Sequence, residues 1–219
     1  MKTIFIVPCL ALVISACHNS NTADKNIQKD TTIVASASTT SVNSGNSSMP
    51  DSMAMQKNIK DYMTPGKEHQ MIASWSGNWL GEATFWMKEG ATPLKANFTI
   101  VNKMELGGRY QQSSLKTNLG GMPFEGMSTL GYDNAKKDFI STWIDNMGTG
   151  IIMMEGTWNE TTKCLTLSGM ETDPATGKEK NLRETIRVID NDRQVTEMFE
   201  AEPGAKEFKT MEIFYTRKK

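Results

Sequence analysis

The sequence predicts an all-β fold, an antiparallel up-and-down barrel of about ten strands with a short N-terminal helix at one end. Three observations lead there. From Gly77 onward, strand-like runs recur with turn-prone groups between them about every 12–15 residues. No stretch between those runs is long enough for the helical crossover that parallel neighbours require. Sequential strands joined by short turns form a meander, and about ten of them can close on themselves and remove both edges. A sandwich of two sheets is the fallback.

The strands are expected at 78–87, 95–105, 109–118, 124–132, 138–145, 151–158, 164–171, 182–190, 193–201 and 207–217. Between them stand Lys88-Glu89-Gly90, Gly107-Gly108, Gly120-Gly121, Asp133-Asn134, Asn146 to Thr149, Asn159-Glu160, Asp173 to Gly177, Asn191-Asp192 and Pro203-Gly204, residues that favour tight turns. Alternation is clearest in Cys164-Leu165-Thr166-Leu167-Ser168 and from Phe208 to Tyr215.

Ahead of the strands, residues 56–76 read as a lead-in helical segment. Thr64-Pro65-Gly66 looks like a helix start, with Thr64 capping free amides and Pro65 at the first helical position. Lys67 to Trp75 then forms a short helix with His69, Ile72 and Trp75 on one side, lying across an end of the barrel. Met49, Met53, Met55, Met63 and Met71 cluster in this region. Exported thioethers suit Cu(I), but the preferred reading is an amphipathic segment whose methionines pack on the barrel. No metal or other cofactor is expected.

The chain begins as an export signal does. Lys2 is followed by an apolar run from Ile4 to Ala16, too short to span ~30 Å of hydrocarbon. The run ends in Ile14-Ser15-Ala16-Cys17, which resembles a lipoprotein cleavage box. Residues 1–16 are therefore expected to be removed and Cys17 to be acylated, which would anchor the protein to a membrane. Residues 17–55 are expected to be a disordered tether. Up to about Pro50 they are mostly Ser, Thr, Asn, Ala and Asp, with too little apolar surface to offset the entropy of ordering. A flexible chain of about 40 residues spans roughly 35 Å. His18 after the anchor, rather than Asp, favours the outer membrane, facing the periplasm. The barrel domain is expected over 77–219.

Of three cysteines, Cys9 falls in the signal and Cys17 at the anchor, so Cys164 remains as a small buried residue and the fold must rest on packing. A formal net charge of −1 and the absence of a basic stripe argue against a nucleic-acid partner.

Gly77-Asn78-Trp79 opens the first strand and Arg217 closes the last. In a closed meander these strands are neighbours, so the guanidinium can cover the indole face. The arrangement resembles the Gly-x-Trp and terminal Arg of lipocalin-like barrels, where it seals one end. If Trp79 points inward, so do Gly81, Ala83, Phe85 and Met87.

Further resemblances run through Thr64-Pro-Gly-x-x-His69, Leu106-Gly-Gly-Arg-Tyr110, Gly121-Met-Pro-Phe-Glu-Gly126, Gly131-Tyr-Asp-Asn134, Thr142-Trp-Ile-Asp-Asn146 and Met211-Glu-Ile-x-Tyr-Thr-Arg217. Together these are similar to the bacterial domain-of-unknown-function family 1579, over roughly 64–218. The resemblance implies a calycin-like barrel in an exported or lipoprotein setting, and brings no catalytic residues.

Charged residues inside strands are the candidates for a site: Asp145, Glu155, Glu184, Glu197, Glu212, Arg109, Arg183 and Arg187. Most are expected to face solvent, because a charge in the lumen must be paired, hydrated or bound to ligand. Tyr132, Trp143 and Asp145 are the first choice for a polar-aromatic ligand contact, with Arg183, Glu197 and Tyr215 as further contacts. No histidine follows His69, which argues against a Ser or Cys nucleophile with its usual base, a zinc site, or haem held as in nitrobindin-like barrels.

The expectation is thus a lipid-anchored, non-enzymatic envelope barrel holding a small apolar molecule. The rival is a filled barrel whose outer face meets another envelope protein, with Trp86, Trp158 and Phe214 as an outward patch. A hydrolase or isomerase built on lumen carboxylates is the third reading.

Overall fold

The computed structural model describes residues 52–219. The signal segment, Cys17 and the tether through residue 51 lie outside the described residues. Ten strands form one closed antiparallel barrel in meander order: β1 (Gly77–Phe85), β2 (Leu94–Glu105), β3 (Tyr110–Leu119), β4 (Met122–Asp133), β5 (Asp138–Asp145), β6 (Ile152–Asn159), β7 (Cys164–Thr172), β8 (Glu179–Asp190), β9 (Arg193–Ala201) and β10 (Phe208–Arg217). Each pairs with its successor, and β10 pairs with β1 to close the ring.

Tight turns set this connectivity. Leu119 pairs with Met122, leaving Gly120 and Gly121 as a two-residue hairpin loop. Both have positive φ, 59° and 93°, the backbone of a type I′ turn whose twist matches the strands. Two register shifts, at Lys209/Met211 and Val188/Asp190, bend the wall where β9 meets its neighbours.

Among the described residues two helices precede the barrel, α1 (Ser52–Met63) and α2 (Lys67–Ser74). α2 is the short helix expected at a barrel end, and it buries His69 and Ile72, with Trp75 buried just beyond. The start of α2 corrects the sequence reading. Gly66, not Thr64, is the N-cap, and its amide donates to His69 Nδ1 at 3.0 Å. Thr64 Oγ1 instead donates back to Lys60 O at 2.7 Å, ending α1. α1 itself buries no residue, and Met53, Met55 and Met63 are exposed rather than packed on the barrel. Met71, on α2, does pack against the core. α1 is held through its C-terminal carbonyls: Asn134 Nδ2 donates to Asp61 O and Tyr62 O, and Arg109 Nη2 to Met63 O.

The end of α2 is fastened to the barrel by side chains that satisfy carbonyls a helix leaves unpaired. Gln111 Nε2 donates to Ile72 O at 2.7 Å, and Trp79 Nε1 and Asn102 Nδ2 both donate to Trp75 O. Arg217 donates to Ser74 O and Ser76 O. Four strands thus hold one helix terminus. The largest core cluster lies at this level: Ile72, Trp75, Leu130, Phe139, Met154, Leu165, Leu167 and Leu182. A second cluster, Ala83, Phe98, Leu115 and Ile213, lines the opposite wall.

Among the described residues, no helix is long and apolar enough to cross a membrane. Cys164 is buried and free. Trp158, expected on the outside, packs against Trp75 with ring centroids 6.1 Å apart. Trp86 reaches the cavity rim, so Phe214 is the member of the expected outward patch that stays exposed.

Candidate functional site

Between the α2 plate and the far rim the lumen is hollow. A cavity of about 580 Å³ runs from a floor of Trp75, Trp79 and Asn102 to a mouth marked by Met87, Leu119, Glu171 and Lys180. Its size lies within the ~300–1,000 Å³ typical of small-molecule sites. The wall is mainly apolar, with Phe98, Leu115, Phe124, Trp143, Met154 and Ile213 among its residues.

Strand parity explains what points inward. On β8, Leu182, Glu184 and Ile186 line the cavity, so Arg183 and Thr185 face out. On β9, Gln194, Thr196 and Met198 line it, so Glu197 faces out. Trp79, Phe85 and Met87 line it from β1 and its exit, as the sequence suggests. Inward glycines keep space open by letting aromatic rings lie flat on the wall. A Cβ on Gly81 would fall 2.5 Å from the Phe98 ring, and one on Gly126 would fall 2.4 Å from the Trp143 indole.

The expected site residues separate into three groups. Trp143 and Tyr215 line the lumen. Trp143 stacks on Phe124 at 6.4 Å and donates its Nε1–H to Asp145 Oδ2 at 2.8 Å. Asp145 is not a wall residue: its other oxygen accepts the amides of Met147 and Gly148, so it holds the turn and the indole together. Tyr132 is in the packing beneath α2, edge-on to His69 at 5.9 Å and against Phe139 at 4.9 Å. Arg183 and Glu197 are outside. Arg183 makes a two-pronged bond to Glu207 and covers the Phe199 ring at 3.9 Å, while Glu197 accepts from Lys209 Nζ at 3.0 Å. Tyr132, Asp145, Arg183 and Glu197 thus depart from the expected ligand contacts, because none of the four lines the cavity.

At the floor, Arg217 and Trp79 are register partners with the guanidinium 4.1 Å from the ring centroid, the barrel-closing pair expected from sequence.

Glu184 is the lumen residue that sequence reasoning named but did not select. Its carboxyl sits among apolar neighbours, and burial pushes its pKa up to about 7 with no offsetting hydrogen bond or nearby cation. Tyr215 is close enough for the Glu184 carboxylate to raise its phenol, on top of the larger effect of burial. At the mouth, burial and then Glu200 push the Glu171 carboxyl up. Lys180 stands beside them, bonded to Asp173 at 2.8 Å and to Glu200 at 3.4 Å. On the floor, Asn102 Oδ1 is buried and has no donor. A sequence signal for Glu184 does exist: Leu182, Ile186 and Val188 share its parity, so it interrupts an apolar face.

His69 is structural. Desolvation is the main cause of its lowered pKa, and its ring caps α2. Among the described residues, no group of three or more His, Cys, Asp or Glu side chains is placed to hold a metal ion.

Fold and site together define a closed up-and-down β-barrel with an internal cavity sealed at one end by a helix. The family model described as "Protein of unknown function (DUF1579)" matches residues 64–217, and the chain belongs to that family. No curated protein matches the sequence. Among solved structures, that of Rv2717c from M. tuberculosis has a similar fold, with TM-score 0.54 and 15% identity, covering 71% of this chain and 100% of that one.

Proposed function

We propose that the protein is a lipid-anchored barrel of the cell envelope that holds a small, mainly apolar molecule and catalyses no reaction on it. The observation that carries this is the 580 Å³ lumen with an apolar, aromatic-rich wall. A barrel that served only as a rigid scaffold would gain stability by filling that space, since interiors otherwise pack to crystal-like density. The anchor rests on the Cys17 box and the outer-membrane placement on His18. Acylation at Cys17 would leave the barrel at the end of its tether on the periplasmic side.

Native mass spectrometry of gently purified protein tests the reading, together with titration by the uncharged fluorophore N-phenyl-1-naphthylamine. A co-purifying small molecule, or saturable probe binding that Ser128→Phe weakens by filling the lumen, is the expected result. Protein that carries nothing and binds no probe would sink it. For the anchor, Cys17→Ala should abolish incorporation of labelled fatty acid.

A further inference from the structure

We propose that the molecule taken into the lumen carries a basic nitrogen, and that Glu184 is the side chain that meets it. The ligand class is then an apolar amine, not a fatty acid. This rests on the lumen being a binding site and names the chemistry it selects.

The charge inventory of the wall points one way. Among the described residues lining the cavity, three are acidic, Glu171, Glu184 and Glu200, and one is basic, Lys180. Lys180 is already engaged by Asp173 and Glu200. A carboxylate ligand entering the mouth would meet net negative charge and find no free cation inside. An ammonium would be attracted at the rim and again in the interior.

Deeper in, an unpaired carboxyl asks for the same partner. Glu184 lies on an apolar stripe between Leu182 and Ile186, opposite Leu167 and Met198 across the two strand pairings. Among the described residues no hydrogen bond or cation offsets its withdrawal from bulk water, and a carboxyl left there without a partner is costly. Once ionised, that carboxyl is satisfied by an N–H donor and not by a second carboxylate. The Trp143 and Tyr215 rings line the same space, and aromatic rings attract cations. Binding at neutral pH releases a proton from the fraction of Glu184 that is protonated, while the amine enters as its ammonium. The bound pair is carboxylate and ammonium.

Competition against N-phenyl-1-naphthylamine, using decylamine, decanol and decanoate at pH 8, tests this in the full chain. Decylamine should displace the probe at about tenfold lower concentration than decanol, the worth of one charge-assisted bond, with decanoate the weakest. Glu184→Gln, and Glu184→Met as a second variant of similar volume, should bring the decylamine-to-decanol ratio close to one, a ratio taken within each variant so that a change in probe affinity cancels. Probe binding with decanoate equal to or better than decylamine overturns the amine assignment and leaves the cavity reading standing. A preference for amine that survives both variants removes Glu184 from its role. No probe binding at all refutes the cavity reading and this inference with it.

Discussion

The guanidinium of Arg217 lies over the indole of Trp79 at 4.1 Å, and the same side chain donates to Ser74 O, Ser76 O and Asn191 O. One residue on the last strand therefore joins the first strand, the end of α2 and the β8–β9 turn. The pair works as a lock on the closed end rather than as a site of chemistry.

That geometry makes Arg217 hard to replace by another cation. Arg217→Lys keeps the charge but cannot reach three carbonyls from a planar fork while covering the ring. The expected cost is about 2–4 kcal/mol, from one cation–π contact and the charge-assisted bonds, read as a lower midpoint in urea unfolding. An unchanged midpoint would show that the lock contributes nothing.

Glu184 should leave a signature in stability against pH. Its folded pKa of about 7 lies above the ordinary glutamate value of 4.5, so the folded state holds its proton more tightly than the unfolded chain. The stability it contributes is full below about pH 4.5 and is lost as pH rises towards 7. At ~1.4 kcal/mol per pKa unit, the loss is at most roughly 3 kcal/mol. Glu184→Gln should be more stable than the parent at pH 8 and similar to it at pH 4. Parallel pH profiles for the two proteins would contradict this.

His69 should act in the opposite sense. Burial, with Arg109 as a smaller contributor, lowers its pKa against the opposing pulls of Glu68 and Tyr132 O. The neutral ring accepts the Gly66 amide. Its stabilisation is present above pH 6.5 and is lost as acid protonates Nδ1 and removes the cap. His69→Leu should cost about 1–2 kcal/mol at pH 7.5, the usual range for losing a cap, and less at pH 5. Hydrogen exchange of the α2 amides would report the change directly.

Gly126 tests whether the flat aromatic wall keeps the lumen open. Gly126→Ala places a methyl group 2.4 Å from the Trp143 ring, so the indole must swing off the wall or leave Asp145. A loss of about 1–3 kcal/mol, typical of overpacking, should accompany weaker probe binding. Gly150→Ala, where nothing lies within 4 Å, serves as the matched control for probe affinity.

The barrel was legible because its signals are local. Turn residues such as Gly120-Gly121 and Asn191-Asp192 mark the hairpins, and alternation in β7 and β10 marks the strands, so element limits agree to within about three residues. The start of α2 was less legible, since Thr64 and His69 both suit the cap and only the fold shows which side chain turns back. Facing was readable where parity is clean. On β8 the shared parity of Leu182, Ile186 and Val188 carries the signal that Glu184 is inside and Arg183 outside, yet the expectation named Arg183 as the contact. On β9 both faces carry apolar residues, Val195 and Phe199 on one and Met198 on the other, so Glu197 could not be assigned. Asp145 was drawn towards the site by its neighbour Trp143, but the turn amides of Met147 and Gly148 claim one of its oxygens. A residue's own turn is visible in sequence; its competition with a distant cavity is not.

Among the described residues only the β1–β10 seam joins strands far apart in the chain; every other pairing is between consecutive strands. Local hairpins can assemble early at little loop-closure cost, whereas the seam must bring together residues about 140 positions apart. Closing that seam carries the largest loop-closure cost of any pairing in the barrel, and the lumen has a complete wall only once Phe208–Arg217 has paired with β1.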